Sequence, residues 1–575
     1  MPVPPSLKRL YGWFDRVSRR GGASLPPFLR PDLLPDWQGL LAGDQERWKA
    51  ALEKAQNGPR VLVATNVGGH GPVSVVESML AVALTLRGNK VCTLLCDHDL
   101  PGCMRAQFDA NVSPAQLANY DTASICDYCA QRGRAVFEPL GLSRYSLGAL
   151  LTEDEKAEAR AVAEHVPLAD LKDFRWQDMA VGEHALAGVL RYFARGTLAP
   201  EDKDANLVGA RYLEAALRTA YATRRLLDRE GAEHAVFHHG IYIPQGVVGE
   251  VCRKRGVHVS NWVVAYRRNT LIFSHDNTYH QTLLDEPVEQ WKEMDWSEKE
   301  EEKVLEYLRS RWHGGRDWIY FHERPDEDFK KFSVENGLDP NKKTIGLLTN
   351  VFWDAQLHYK QNAFDNMLTW LVKTVEWFRT RPDLQLLIRI HPAELRGAVK
   401  SRQLLAEEIA RAIPDMPSNV FVVPPESPVS TYAAVLECDS VIIYGTKMGV
   451  EITSIGIPVI VAGEAWIRNK GLTLDATTET QYFEILNRLP LNRRLDPETV
   501  RQARKYAYHF FFRRMLPVPF VVPMDKAPNF RLDISALADL AAGVHPGLDV
   551  ICNGIVDVSV PFVYEAEHHG LHDVE

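Results

Sequence analysis

The sequence predicts an α/β protein of two Rossmann-like parallel-sheet domains that face a cleft, with a helical insertion in the first. Three observations predict it. "PRVLVATNVGGHGPVSVVESMLAVALTLRGNKVCTLLCD" reads strand, glycine loop, helix, strand, and "HAVFHHGIYIPQGVVGEVCRKRGVHVSNW" repeats the scheme after a helical stretch over 151–230. From Lys343 the alternation starts again, with "TIGLLTN", "LQLLIRIHP", "NVFVVPP", "SVIIYGT" and "PVIVAG" as strands.

The chain has 575 residues, too many for one ordinary core. Residues 1–57 read as an N-terminal extension, partly helical. Its opening places Leu7, Leu10, Tyr11, Phe14 and Val17 near helical spacing among Lys and Arg, which suits either an anionic membrane surface or the protein's own core. Residues 58–334 are expected to form the first α/β domain, and "EQWKEMDWSEKEEEKVLEYLRSRWHGG" a solvated helix leading out of it. The second α/β domain is expected over 335–490. Residues 491–575 begin as a helix with an aromatic run, Phe510 to Phe512, and then carry no readable motif.

Composition narrows the function classes. A hydrophobic content of 46% and a charged content of 25% are those of a globular protein, and a formal charge of -9 gives no reason to expect a nucleic-acid partner. No run of about 18 apolar residues occurs, and eight cysteines in so long a chain do not make a disulfide scaffold. A cytoplasmic protein is expected, with peripheral contact at the inner membrane as an option.

Ligands of parallel sheets bind outside the carboxyl ends of the strands, so residues just after predicted strands are the candidates. In "SVIIYGTKMGVE", Gly445, Thr446 and Lys447 stand between a buried strand and a helix start, where exposed amides and the helix dipole suit a phosphate. Glu451, a turn and a half on, is placed to accept hydrogen bonds from a ribose diol; a helix cap with Glu complementing the dipole fits equally well. In "LLIRIHPAE", Pro392 ends the strand and presents His391 at the carboxyl edge, with Arg389 as an added charge. In the first domain, Gly68 and Gly69 of "TNVGGHGPV" allow a close backbone approach to a ligand or serve a structural turn, and His70 lies beside them. That loop matches neither the P-loop nor the dinucleotide fingerprint. His238 and His239 end another strand, and Asp276 and His280 follow in polar loops.

Cys96, Cys103, Cys126 and Cys129 give C-x6-C-x22-C-x2-C, which suits a structural zinc site or four reduced thiols.

"RIHPAE" followed by "ECDSVIIYGTKMGVEITSIGIPVIVAG" resembles the nucleotide-sugar-binding half of GT-B glycosyltransferases, particularly the bacterial capsule-polysaccharide biosynthesis proteins that include Kdo transferases. The resemblance covers roughly 384–463; "YGTK" departs from the Ser- or Gly-rich turn of that family. It implies transfer of a sugar from a nucleotide donor, CMP-Kdo-like or a UDP- or GDP-sugar, to a glycan or lipid-linked glycan of the cell surface. It implies nucleotide contact for His391 and Pro392, phosphate contact for Gly445 and Thr446, and no cofactor for the transfer. His70, His239, Asp276 and His280 are then the candidates for catalysis in the acceptor domain, with loop-backbone satisfaction as the alternative for each. An epimerase of the same fold, or a noncatalytic glycan-assembly protein, are the rival readings.

Overall fold

Apolar runs covered on both faces form the middle of each sheet, as parallel packing demands. The computed structural model describes residues 34–108, 112–318, 325–397, 399–524 and 530–565. The segment around Leu7–Val17 and the last ten residues lie outside the described residues. In chain order the strands are β1 (Arg60–Asn66), β2 (Lys90–Leu95), β3 (Ser143–Ser146), β4 (His234–His238), β5 (His258–Val264), β6 (Thr270–His275), β7 (Lys343–Leu348), β8 (Leu384–Arg389), β9 (Val420–Val423), β10 (Ser440–Ile443), β11 (Val459–Val461), β12 (Leu474–Asp475), β13 (Leu516–Pro517), β14 (Val521–Pro523) and β15 (Phe530–Leu532).

The first sheet runs β13-β6-β5-β4-β1-β2-β3 and the second β12-β11-β10-β7-β8-β9. The second is parallel throughout; in the first, β6 turns antiparallel to β5, and β13 pairs antiparallel with β6. Counted from its own first strand, each sheet has the doubly wound order 3-2-1-4-5. The order reverses between β1 and β4 in one and between β7 and β10 in the other. Those reversals open the crevices in which such sheets bind ligands. The predicted fold class, two Rossmann-like α/β units with a helical insertion, is the one observed.

The insertion lies between β3 and β4. Its helix Glu153–His165 starts with a capping box of Thr152 and Glu155. Its longest helix, Lys203–Glu230, is capped by the Asp202 side chain on the Ala205 amide and closed by Gly231 at φ 60°. Glu214 of that helix is fully buried, and Arg211, Arg218 and the Tyr120 hydroxyl all donate to it. A buried carboxylate needs such partners to remain charged.

The first and last described segments pack on the first unit. Helix Gln45–Ala55 packs there with Trp48 Nε1 on the Leu140 carbonyl, 3.1 Å. Helix Pro497–Tyr508 lies on the second unit, where Tyr506 Oη donates to the Trp466 carbonyl at 2.6 Å. The chain then crosses to β13, and Leu548, Ile551 and Ile555 of helix Pro546–Val556 enter the first core. The last stretch, unreadable in sequence, is therefore core. Helix Glu298–Arg311 is solvated on one face only: Val304, Tyr307 and Leu308 are buried, and Glu301 pairs with Arg504 at 2.5 Å.

At the second crossing, Glu286 receives His509 Nε2 at 3.0 Å and Arg514 Nε at 3.2 Å, all three side chains being buried. Burial alone raises its carboxyl pKa, but Arg514 and His509 outweigh burial and hold it down at about 2. Its folded-state value is below the ordinary 4.5, so its stabilisation is complete above pH 4.5 and is lost as the pH falls toward 2. Glu286→Ala is expected to lower stability by about 3–5 kcal/mol at pH 7. Urea unfolding of both proteins at falling pH checks this: the difference should shrink below pH 4.5, and a pH-independent difference would refute the account.

Candidate functional site

Both central strands of the first sheet lead into left-handed backbone at a residue other than glycine, of types found there more often than most. Asn66 closes β1 at φ 54°, and His239 follows β4 at φ 66°. Each such residue costs about 1–2 kcal/mol and persists where its surroundings hold it. His239 is held by its amide on the Trp262 carbonyl at 2.9 Å, and Gly240, at φ 78°, completes the turn. The turn leads the imidazole away from the sheet at the reversal point.

His70 caps helix Gly71–Leu86 on the other side of that point. Its ring centroid lies 5.6 Å from that of His238, which is 5.5 Å from His239, which is 5.3 Å from Tyr242. Burial, reinforced by Arg105, Arg191 and His239, pushes His70 down to about 3. Burial likewise pushes His239 down to about 4, against the pull of Asp354. Both imidazoles are therefore neutral near pH 7 and carry a lone pair, as a proton acceptor must. His239 Nδ1 is buried and has no hydrogen-bond partner.

The second unit reaches this cluster through the loop after β7. Asp354 accepts from Tyr242 Oη at 2.6 Å and from Arg191 Nη1 at 3.2 Å, while the Ala355 amide donates back to Tyr242 Oη at 3.0 Å. Arg191 also lies over the rings of Tyr242 and Trp353. His280 stacks on Trp466 with centroids 5.3 Å apart, and Tyr359 Oη is 3.4 Å from its ring nitrogens. Three of the four catalytic candidates, His70, His239 and His280, thus gather near the junction of the two units.

Asp276 does not. Because β6 runs antiparallel, its end returns to the amino edge, and Asp276 accepts from His258 Nδ1 (3.0 Å) and the Val259 amide (3.2 Å) at the start of β5. This corrects its reading as a catalytic candidate.

In the second unit, loops after β7, β8 and β10 meet at the reversal point. Thr349 Oγ1 accepts the His391 amide at 3.0 Å, and Asn350 Oδ1 accepts the Gly445 amide at 3.2 Å. Pro392 starts the short helix Ala393–Arg396, whose first amide donates to His391 Nδ1 at 3.1 Å. That bond makes Nδ1 the acceptor, so the proton of the neutral ring sits on Nε2. Thr446 is nearly buried, with Oγ1 accepting the Met448 amide at 3.3 Å.

The charged members of the predicted donor set are occupied by the protein. Glu451, buried, takes Lys447 on one oxygen (2.9 Å) and Arg311 (3.0 Å) and Tyr432 (2.5 Å) on the other. Burial raises its carboxyl pKa, but Arg311 and Lys447 outweigh it and hold the group at about 2. With both oxygens engaged, the ribose role is not the one its contacts support. Lys447 is lowered by burial and by Arg311, and sits 4.9 Å from the Tyr266 ring centroid. Arg389 is turned to the carbonyls of Pro424 (2.5 Å) and Ser427 (3.3 Å), tying down the loop after β9.

Gly68 and Gly69 also serve packing. A Cβ on Gly68 would stand 2.4 Å from Gly133 Cα, and one on Gly69 3.0 Å from Cys129 Cα, both on helix Ala123–Phe137. Close approach is required, but to a helix rather than to a ligand. The four cysteines are free thiols that line one cavity with His98 and Arg105. Among the described residues, no group of three His, Cys, Asp or Glu side chains is gathered around one point as a single metal ion requires.

Sequence reading missed Arg191, Tyr242, Asp354 and Tyr359. For Asp354 and Tyr359 the available signal was "VFWDAQLHYK", dense in aromatic and polar residues soon after the first strand of the second sheet; for Arg191, inside a helix of the insertion, there was none.

No protein-family model matches the chain, and no curated protein does. Among solved structures it is similar to the Thermosulfurimonas dismutans KpsC, beta Kdo 2,4 transferase, at 13% identity and TM-score 0.32, over 57% of this chain and 88% of that one. It is also similar to the S. aureus MnaA-UDP co-structure (10% identity, TM-score 0.26, 78% and 91% covered). A third is the Neisseria meningitidis UDP-GlcNAc 2-epimerase bound to UDP-GlcNAc (10%, 0.24, 77% and 94%). Similarity of this degree assigns no residue a role.

Removing Glu451 leaves Arg311 and Lys447 buried without their shared counter-charge. Glu451→Ala is expected to cost about 3–5 kcal/mol in urea unfolding of the ligand-free protein. An unchanged midpoint would show that the network is not what the carboxylate is for.

Proposed function

We propose that the chain is a glycosyltransferase that moves a sugar from a nucleotide-activated donor to a bacterial surface glycan. The observation that carries this reading is that neutral, half-buried His70 and His239 at one reversal point lie near loops from the second sheet, whose own reversal point gathers His391, Gly445 and Thr446. The sequence likeness over roughly 384–463 to the nucleotide-sugar half of capsule-polysaccharide transferases supports the choice of donor.

In this reading the second unit holds the nucleotide, with the Nε2 proton of His391 and the Gly445–Thr446 turn toward the phosphates. The acceptor lies against the first unit. For an inverting transfer the acceptor hydroxyl gives its proton to His239, its oxygen bonds to the anomeric carbon, and the bond from that carbon to the phosphate oxygen breaks. Arg191, fixed by Asp354, adds positive charge beside the cluster. The donor is a CMP-Kdo-like sugar or a UDP- or GDP-sugar, and the acceptor a glycan or lipid-linked glycan.

Calorimetric titration with CMP, UDP and GDP is the test. One nucleotide is expected to bind, and His391→Ala to weaken it at least tenfold, about 1.4 kcal/mol. His239→Ala is expected to leave that affinity intact and to slow transfer by about 10²–10⁴. Absence of nucleotide binding by the folded protein would sink the proposal, and conversion of donor alone to an isomer would replace it with an epimerase.

A further inference from the structure

The cysteine cavity lies behind the wall of the cleft and is used by nothing described so far. Cys96 and Cys103 flank the turn that follows β2, while Cys126 and Cys129, three residues apart, share one face of helix Ala123–Phe137. The two pairs come together only in the fold.

 All four are free thiols, and together with Val67, Leu100, Ile125, His98 and Arg105 they line a single cavity.

Two further features point to a guest that binds sulfur. The Gly69 amide donates to Cys129 Sγ at 3.1 Å, the kind of N–H···S bond that tunes metal-bound thiolates. Arg105 lines the cavity with a buried Nε that has no hydrogen-bond partner. A single zinc ion needs its four sulfurs at about 2.3 Å from one centre. The side chains are not gathered that way. A four-iron cube instead places one iron under each sulfur, so its ligands stand around the outside of the cluster, farther apart.

We propose that Cys96, Cys103, Cys126 and Cys129 bind a four-iron, four-sulfide cluster in this cavity. Binding is a ligand exchange: a preformed cluster on a thiolate carrier passes to the four cysteines, each of which gives its proton to a departing carrier thiolate, and no electron changes hands. Core and thiolates together carry a net negative charge, which Arg105 offsets. The cluster then stands behind Gly68 and Gly69 and fixes the loop that carries His70.

The test is the full chain purified without oxygen. About four irons and four sulfides per chain, with a brown absorption that dithionite bleaches, is the expected result. The absorption should be lost in Cys126→Ser and Cys129→Ser and kept in Cys552→Ser, whose thiol is buried in the first core. Circular dichroism of each variant separates loss of the cluster from loss of the fold, and the metal content of the unaltered chain decides the question even if the variants do not fold. Absence of iron and sulfide, before and after anaerobic reconstitution with ferric iron, sulfide and excess thiol as the reductant, overturns the proposal. So does one zinc per chain bound by the same cysteines. Neither result bears on nucleotide binding, which is read separately.

Discussion

The carboxylate of Asp354 ties the two sheets together where their strand orders reverse. It belongs to the second unit, yet Tyr242 and Arg191, which hold it, belong to the first. Tyr242 follows β4 by four residues, so its position is set by the left-handed turn at His239 and Gly240. The same contact that joins the units therefore orders the edge on which the histidines stand. Its charge also reaches His239, opposing the fall in basicity that burial imposes.

Buried charge is handled alike elsewhere in the molecule. Glu214, Glu286 and Glu451 lie in different parts of the chain, and each is ringed by cations or hydroxyls. Desolvation of a carboxylate costs several kcal/mol, and the ring of partners offsets it only when geometry is good. Such networks fix orientation: Glu214 sets the insertion, Glu286 the second crossing, and Glu451 the helix that follows the Gly445–Thr446 turn.

The sheets were legible because their central strands are buried on both faces and read as unbroken apolar runs, "VLVAT" and "LQLLIRI" among them. His70, His239, His391, Gly445 and Thr446 were legible for the related reason that each directly follows such a run. Asp276 misled because a strand's direction is a property of its neighbours, and β6 reverses relative to β5. Glu451 and Arg389 misled because their partners, Arg311 and the loop at Pro424–Ser427, are far away in sequence. Gly68 and Gly69 suited a ligand loop and a structural turn alike, since glycine records only that something comes close and not what.

The chain leaves the first unit after Glu286 and comes back to it after helix Pro497–Tyr508, and these two passages are fastened to each other by Glu286, His509 and Arg514. A single connection acts as a swivel, whereas two connections joined side by side act as a door hinge. A fastened pair of connections resists twisting of one unit against the other more than it resists swinging.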